Sequence, residues 1–117
     1  MNLNLIQSEI AKLIPESFDR IDENFNFKEN KLAIQIEIGE SIQDKLYCND
    51  IGLKIIVTGP TENKMAINNK AINIDETINN YIFSNKEARV FRENVWLQSI
   101  YDNDKYNVVL LYTIRAY

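Results

Sequence analysis

The sequence predicts an α+β domain, with two helices packed on one face of a mostly antiparallel sheet of about five strands. Two segments carry apolar residues at helical spacing, and several others alternate apolar and polar residues. Short polar turns separate neighbouring alternating segments. The predicted order is α-β-β-β-α-β-β. With 117 residues, of which 45% are hydrophobic, the chain suits a single domain spanning residues 1–117.

The first helix is predicted over residues 3–14, where the apolar residues form one stripe. These residues are Leu3, Ile6, Ile10, Leu13 and Ile14. Asn2 or Asn4 suits the cap at its start, because a short polar side chain can accept a bond from a free backbone N–H. Pro15 ends the helix, since the residue before a proline avoids the helical conformation.

A β-hairpin is predicted next, from the alternating residues 18–28 and 32–38 with a polar turn between them. Asp19, Asp22 and Glu23 lie near its start. A cation could take these carboxylates, but we interpret them as solvated charges that discourage pairing at a strand edge.

Residues 39–50 are polar and predict a loop, with a short strand at Leu46–Cys48 as an option within it. The run Ile51–Thr58 is rich in β-branched residues and predicts the third strand. Gly59 and Pro60 end that strand.

The second helix is predicted over residues 61–83, with Thr61 at the N-cap and Glu62 in the first turn. Its apolar residues are Ile67, Ala71, Ile74, Ile78 and Ile82. Asp75 could also cap a separate helix, so an interruption near Asn73–Asp75 stays open.

Two strands close the chain, residues 87–100 and 106–117, joined by a turn at Asp102–Lys105. The last strand is apolar on both faces, because its side chains alternate. One face carries Tyr106, Val108, Leu110, Tyr112 and Ile114, and the other carries Val109, Leu111, Thr113 and Tyr117. Such a strand is usually covered on both faces. We expect the helices on one face, and a second sheet or a neighbouring subunit on the other.

Composition argues against catalysis. The chain has no histidine and one cysteine, Cys48, so histidine-dependent catalysis, an internal disulfide and a thiolate zinc site are excluded. The available Asp, Glu, Tyr and Lys residues form no catalytic constellation. We therefore expect no enzymatic activity, no cofactor and no metal site. The net charge of −4 lacks the basic excess of a nucleic-acid binder, and no run suggests a signal peptide or a membrane span.

The candidate interface lies on the last two strands. Arg89, Arg92 and Glu93 sit among apolar residues, where they suit intersubunit ion pairs, a channel lining or a solvated outer face. The terminal strand adds its outward residues, which are Val109, Leu111, Thr113, Arg115 and Tyr117. Trp96 is expected in the core. Tyr117 is expected at an interface, because a terminal aromatic residue seldom needs burial in its own monomer.

The overall layout resembles that of the tail terminator and minor capsid (head–tail joining) proteins of tailed bacteriophages. The helix ends at Leu13-Ile14-Pro15, and a hairpin and a strand closing at Val57-Thr58-Gly59 follow. After the second helix, Trp96-Leu97 leads through an Asp/Asn turn into Leu111–Tyr117. The resemblance covers nearly the whole chain and rests on element order, size and the C-terminal hairpin.

This resemblance implies a non-enzymatic ring former that is hexameric in the assembled tail. The ring would sit on the last ring of the tail tube, stop tube polymerisation and offer a surface to neck and connector proteins. DNA would pass through its lumen without specific binding. The protein would be made in the host bacterial cytoplasm and would function in the tail or neck of the virion. Residues 39–50 depart from the family, because they have less of the long flexible insertion with which such proteins often plug into a partner.

An alternative is a small acidic immunity protein that binds and neutralises a bacterial toxin, since acidic domains suit basic nucleases. The acidic residues are spread over Glu16–Glu23, Glu29 and Glu37–Asp50, which allows such a patch without requiring it.

Overall fold

The computed structural model describes residues 3–18, 32–45, 48–84, 86 and 88–116. In these ranges the elements are α1 (Leu3–Leu13), β1 (Ser17–Phe18), β2 (Ala33–Lys45), β3 (Cys48–Pro60), a 3₁₀ turn (Thr61–Asn63), α2 (Lys64–Ile78), β4 (Ala88–Asp102) and β5 (Lys105–Ala116). The α+β class and the order α-β-β-β-α-β-β are confirmed.

The described strands form one sheet, in the order β1-β2-β3-β5-β4. The pairs β2–β3, β3–β5 and β4–β5 are antiparallel, whereas β1 runs parallel to β2. The terminal strand β5 therefore lies inside the sheet, and β4 lies at its edge.

The start of the first predicted hairpin, at Phe18, differs from the prediction. Ser17 and Phe18 lie parallel to β2, opposite Ile34 and Gln35, instead of starting an antiparallel arm. The backbone N–H and the hydroxyl of Ser17 both donate to the carbonyl of Ile14, at 3.0 and 2.6 Å. This turn after α1 brings the chain onto the edge of β2. The rest of that arm, residues 19–31 with Asp19, Asp22 and Glu23, lies outside the described residues.

The prediction of a loop at residues 39–50 is wrong, because β2 continues to Lys45 and β3 begins at Cys48. Ladder pairs extend to Lys45 and Cys48, with register irregularities after Ile38 and after Ile42. Strand pairing uses backbone groups, so polar side chains do not prevent it. Leu46 and Tyr47, which belong to the short strand predicted at Leu46–Cys48, are not among the described residues.

The second helix starts and ends differently from the prediction. Thr61 begins a 3₁₀ turn and is not a side-chain cap. Its backbone N–H and hydroxyl both donate to the carbonyl of Asp104, each at 3.0 Å, so Thr61 anchors the β4–β5 turn. The helix continues through Asn73–Asp75 without the interruption and ends at Ile78. It stops there because Asn79 is extended and Asn80 adopts a positive φ of 63°.

Residues 80–83 then return beside the start of β4. Asn80 N–H donates to the carbonyl of Val90, and Val90 N–H donates to Tyr81. Phe83 N–H donates to the carbonyl of Ala88 at 2.9 Å. Ile82, predicted as the last apolar residue of the helix, is exposed and bridges to Arg89 instead.

The core lies between the two helices and one face of the sheet. α1 contributes Ile6, Ile10 and Ile14, and α2 contributes Ile67, Ala71, Ile74 and Ile78. The predicted helix-facing side of β5 is confirmed, since Tyr106, Val108, Leu110, Tyr112 and Ile114 are all buried. Trp96 packs against this core but is only partly buried. No described helix is long and apolar enough to cross a membrane.

The predicted turn between the last two strands is confirmed. β4 ends at Asp102 and β5 begins at Lys105. Asn103 has a φ of 56°, a left-handed conformation that asparagine tolerates better than most residues.

Candidate functional site: the open face and the edge of the sheet

The second face of the sheet, here called the open face, points away from both helices. Alternation and register place on it Gln35, Glu37, Gly39, Gly52, Lys54, Ile56, Thr58, Arg89, Phe91, Gln98, Ile100, Asn107, Val109, Leu111, Thr113 and Arg115. In the part of the chain that the structure describes, this face has no helix or second sheet over it. The helices therefore cover one face of the terminal strand, as predicted. The second sheet or neighbouring subunit predicted over its other face is not part of the described chain.

The predicted interface residues on β5 differ in how much surface they offer. Val109 is 6% exposed, because Ile56 and Gln98 flank it in the sheet, so little of it is left for a partner. Leu111 and Thr113 are half-buried and keep exposed surface on the open face.

A large bulge in β4 shapes the open face beside Leu111. Arg92 pairs with Tyr112, and the next register pair joins Leu97 to Leu110. Residues 93–96 therefore lie opposite the single residue Leu111. Bulges bend a strand and redirect its side chains, and here the bulge forms a wall beside β5.

A groove of about 590 Å³ lies between this wall and β2. Its floor includes Gly39 and Gly52 on neighbouring strands, where a Cβ built on Gly39 would lie 3.6 Å from the carbonyl oxygen of Gly52. Leu111 lies beside these glycines, and Glu93 and Val95 line the opposite wall. Glycines inside strands often mark places where another group approaches the backbone closely. The groove therefore combines bare backbone with an apolar surface.

Charged side chains at the rim of the groove are already held within the chain. Glu37 and Lys54 form an ion pair at 3.8 Å, and both are about half exposed, so the pair adds little stability. Gln35 Nε2 donates to Glu37 at 2.8 Å, and the Thr113 hydroxyl donates to Glu93.

A buried carboxylate on α2 fixes the start of the bulge. Asp75 is 5% exposed and accepts two hydrogen bonds from Arg92 and one from the Tyr112 hydroxyl, the last at 2.8 Å. The Arg92 guanidinium also lies 4.1 Å from the centre of the Trp96 ring. Burial, together with the bond to Asp75, raises the pKa of Tyr112 well above its ordinary value. Arg92 was predicted at an interface, but its guanidinium binds Asp75 within the same chain.

Two arginines flank an aromatic ring at one end of the open face. The Arg115 guanidinium forms two bonds to Asp50, at 2.9 and 3.2 Å, and Arg89 donates to the side chain of Asn80. The guanidiniums of Arg89 and Arg115 lie 5.2 and 5.9 Å from the centre of the Phe91 ring.

The second half of β4, residues 95–102, is here called distal β4. Four large apolar or aromatic side chains are exposed there, by 39–61%: Val95, Leu97, Ile100 and Tyr101. α2 packs mainly on β3 and β5. The Lys64 ammonium of α2 lies 5.4 Å from the centre of the Tyr101 ring, and Trp96 packs against the core, so this segment is partly covered on its helix-facing side.

Sequence reasoning found some of these surfaces and missed others. Most of the predicted interface residues lie on the open face: Arg89, Glu93, Val109, Leu111, Thr113 and Arg115. Arg92 instead turns toward Asp75. Tyr117 lies outside the described residues. The glycine pair was missed, although glycines within a strand pattern are a signal of close approach. Asp75 was interpreted as a possible cap, although it lies on the same helix face as Ala71 and Ile78.

In the described ranges, no group of three or more Cys, Asp or Glu side chains is arranged to hold a metal ion. No protein-family model matches the chain, and no curated protein matches it either.

Proposed function

We propose that this protein is a non-enzymatic structural subunit of a phage or phage-like tail. It forms a ring, a hexamer in the assembled tail, that caps the tail tube and connects it to the neck and head. The observation that carries the proposal is the open face, where a central strand keeps apolar surface that no described helix covers. The phage assignment itself rests on the resemblance in element order, size and C-terminal hairpin.

The open face suits assembly for a physical reason. A ring contact is heterologous, so each subunit needs two different surfaces that fit one another. The groove beside Leu111 offers a concave, mostly apolar surface, with Glu93 at its wall. The Arg89, Phe91 and Arg115 end of the same face offers a cationic, aromatic surface. A neighbouring subunit, the tail tube protein or a neck protein would cover these surfaces.

The charge of the protein agrees with a passive conduit. A net charge of −4 does not attract the DNA backbone, so DNA would pass through the lumen without specific binding. We assign no catalytic residue, cofactor or metal ion, and we place the protein in the tail or neck of the virion.

The alternative, an acidic immunity protein, needs free negative charge to meet a basic toxin. Several described carboxylates are already held by groups of this chain: Glu9, Glu16, Glu37, Asp50, Asp75 and Asp104. These carboxylates belong to different elements of the fold and are not gathered on one of them, which favours the structural role.

The proposal is tested with purified protein, alone and mixed with a candidate tail tube protein. Native mass spectrometry across a concentration series, with electron microscopy of large species, should detect rings or tube-induced assembly. Leu111→Asp should abolish this assembly, whereas Met65→Asp, which puts the same charge on the exposed side of α2, should not. A protein that stays monomeric and ignores the tube protein would contradict the proposal and favour the toxin inhibitor.

A further inference from the structure

Two of the three glycines of the chain, Gly39 and Gly52, lie side by side on the open face. The backbone does not require glycine there, because neither residue has a positive φ. Space does not require it either, since an added Cβ would meet backbone of the neighbouring strand at 3.6 Å for Gly39 and 3.9 Å for Gly52, which are ordinary contacts. Glycine also weakens a strand, because it loses more freedom on folding and packs no side chain. The fold of one chain therefore does not explain the pair.

The two glycines leave a gap in the side-chain layer of the open face. This gap is the floor of the groove of about 590 Å³, and Leu111 and the exposed Val95 give the groove apolar sides. In β-sheets an aromatic ring can cover a glycine, because a flat ring lies against bare backbone. Among the described residues along the groove, the one aromatic residue is Tyr112, which points to the helices and bonds to Asp75. The group that fits this floor is thus an aromatic ring from another molecule.

The charges along the groove select a cation beside that ring. Glu37 and Lys54 pair with each other. Glu93 is exposed and accepts a hydrogen bond from the neutral hydroxyl of Thr113. In the described ranges, no lysine or arginine forms an ion pair with Glu93. Its carboxylate can therefore receive a positive charge from outside without breaking an existing pair.

The shape of the groove selects a protein segment as the carrier of the ring and the charge. A small-molecule site buries most of the surface of its ligand. This groove has a floor and the wall formed by the bulge of β4, but on its other side no described strand pairs with β2 beyond Gln35. A small molecule would stay exposed there, whereas a ring attached to a partner protein brings its own cover.

We propose that the groove binds an extended segment of a partner protein that carries an aromatic residue with a lysine or arginine two residues away. Residues two apart in an extended segment lie on the same side. The ring covers Gly39 and Gly52 beside Leu111, and the basic side chain reaches Glu93. This inference rests on the proposed function in taking the groove as a protein-binding surface, and it adds the chemistry of the segment that fills it.

Peptide titration of the full-length protein tests this chemistry, with backbone amide NMR shifts as the readout. The probe is acetyl-Lys-Gly-Trp-Gly-Lys-amide, which has a lysine on either side of the ring. It should shift the amides of Gly39, Gly52 and Leu111 saturably, with a dissociation constant of about 1 mM or lower. A peptide with both lysines replaced by glutamate should bind at least about threefold more weakly. A peptide with alanine in place of tryptophan should leave these amides unchanged.

Gly52→Val tests the floor of the groove while favouring the fold, because valine suits strands and the added Cβ has room. It should raise the dissociation constant of the lysine peptide about tenfold or more by filling the gap. Thr58→Val, on the same strand and face but outside the groove, is the control and should leave binding unchanged. Thermal unfolding should show Gly52→Val to be at least as stable as the wild type. Glu93→Gln should remove the preference for lysine over glutamate and keep the need for tryptophan.

The absence of a saturable shift in the groove, or equal binding of the three peptides, would overturn this inference. A Gly52→Val variant that binds normally, or that is strongly destabilised, would overturn it as well. The proposed function fails separately. If the peptide binds but the wild type stays monomeric and ignores a candidate tube protein, the ring is wrong and the groove chemistry stands. If Leu111→Asp prevents assembly but no peptide binds, only this inference is wrong.

Discussion

The two last strands, β4 and β5, are neighbours with similar apolar content, yet they differ in what covers them. On β5 the helix-facing residues are almost inaccessible, and even Val109 on the open face is nearly buried. On β4, Val90 is buried, but the residues beyond Phe91 are exposed apart from the half-buried Trp96. Apolar composition therefore predicts that a segment is a strand, whereas its position in the sheet decides how much of it is buried.

The difference has a structural cause. β5 lies between β3 and β4 and under α2, so it gains neighbours on both edges and on one face. β4 is held at its beginning by residues 80–83 and through Arg92 by Asp75. After the bulge it extends past these supports. Its apolar side chains there add little to the folding of one subunit, which makes them available to a second protein.

The cross-strand pair Leu97 and Leu110 offers the sharpest test of this comparison, because the same residue type is 39% exposed on β4 and fully buried on β5. Leu110→Ala should lower the free energy of unfolding by about 2–5 kcal/mol through a cavity. Leu97→Ala should lower it by about 1 kcal/mol or less. Urea unfolding at low protein concentration measures both. Similar losses for the two variants would contradict the difference in burial.

The Asp75 network should have the next largest effect, since it joins α2 to both strands. Asp75→Ala removes the acceptor for Arg92 and Tyr112, which should cost about 2–3 kcal/mol of unfolding free energy. Glu93→Ala, which removes only an exposed bond from Thr113, is the control and should cost far less. Equal losses would mean that Asp75 does not hold β4 in place.

Assembly variants should change the oligomer more than the fold. Leu111→Asp places a charge in the groove, and Tyr117→Asp places one at the chain end, so both should disrupt assembly while the monomer keeps most of its stability. Native mass spectrometry with thermal unfolding checks both quantities. Normal assembly of both variants would show that the second face of the terminal strand is not the interface.

The smallest effect concerns pH and Glu9. Burial acts to raise the pKa of Glu9, but hydrogen bonds from Ser84 and Tyr81 outweigh it, so the pKa lies below its ordinary value of 4.5. A lowered pKa contributes stability that is present above about pH 4.5 and is lost as the pH falls through the folded value. Glu9→Gln should therefore weaken the loss of stability as the pH falls below about 4.5. If the unfolding free energy of this variant falls with acid pH as steeply as that of the wild type, Glu9 does not contribute to the pH dependence of stability.

Local patterns in the sequence predicted most of the elements, because helical spacing and alternation depend only on residues that are close together in the chain. The helix-facing side of β5 and the turn at Asp102–Lys105 were predicted correctly for this reason. The strand character of residues 39–45 was missed, because backbone pairing with β3 does not depend on the polarity of the side chains. Asp75 was misinterpreted because its partners, Arg92 and Tyr112, are 17 and 37 residues away in the chain.

The candidate surfaces were predicted in part. Alternation alone indicated that Leu111 and Thr113 face away from the helices. The groove was not predictable, since it needs Gly39 and Gly52 on neighbouring strands and a bulge whose register only the fold defines. The exposure of Leu97 and Tyr101 was missed as well, because it follows from the edge position of β4, which depends on strand order.

The central claim is that the apolar surface left on the sheet is covered by other protein chains. Native mass spectrometry of the purified protein, alone and with a candidate tail tube protein, tests it most directly, with Leu111→Asp measured in parallel. The account predicts rings or tube-induced assembly for the wild type and their loss in the variant. A wild type that remains monomeric at every concentration and does not bind the tube protein would contradict it.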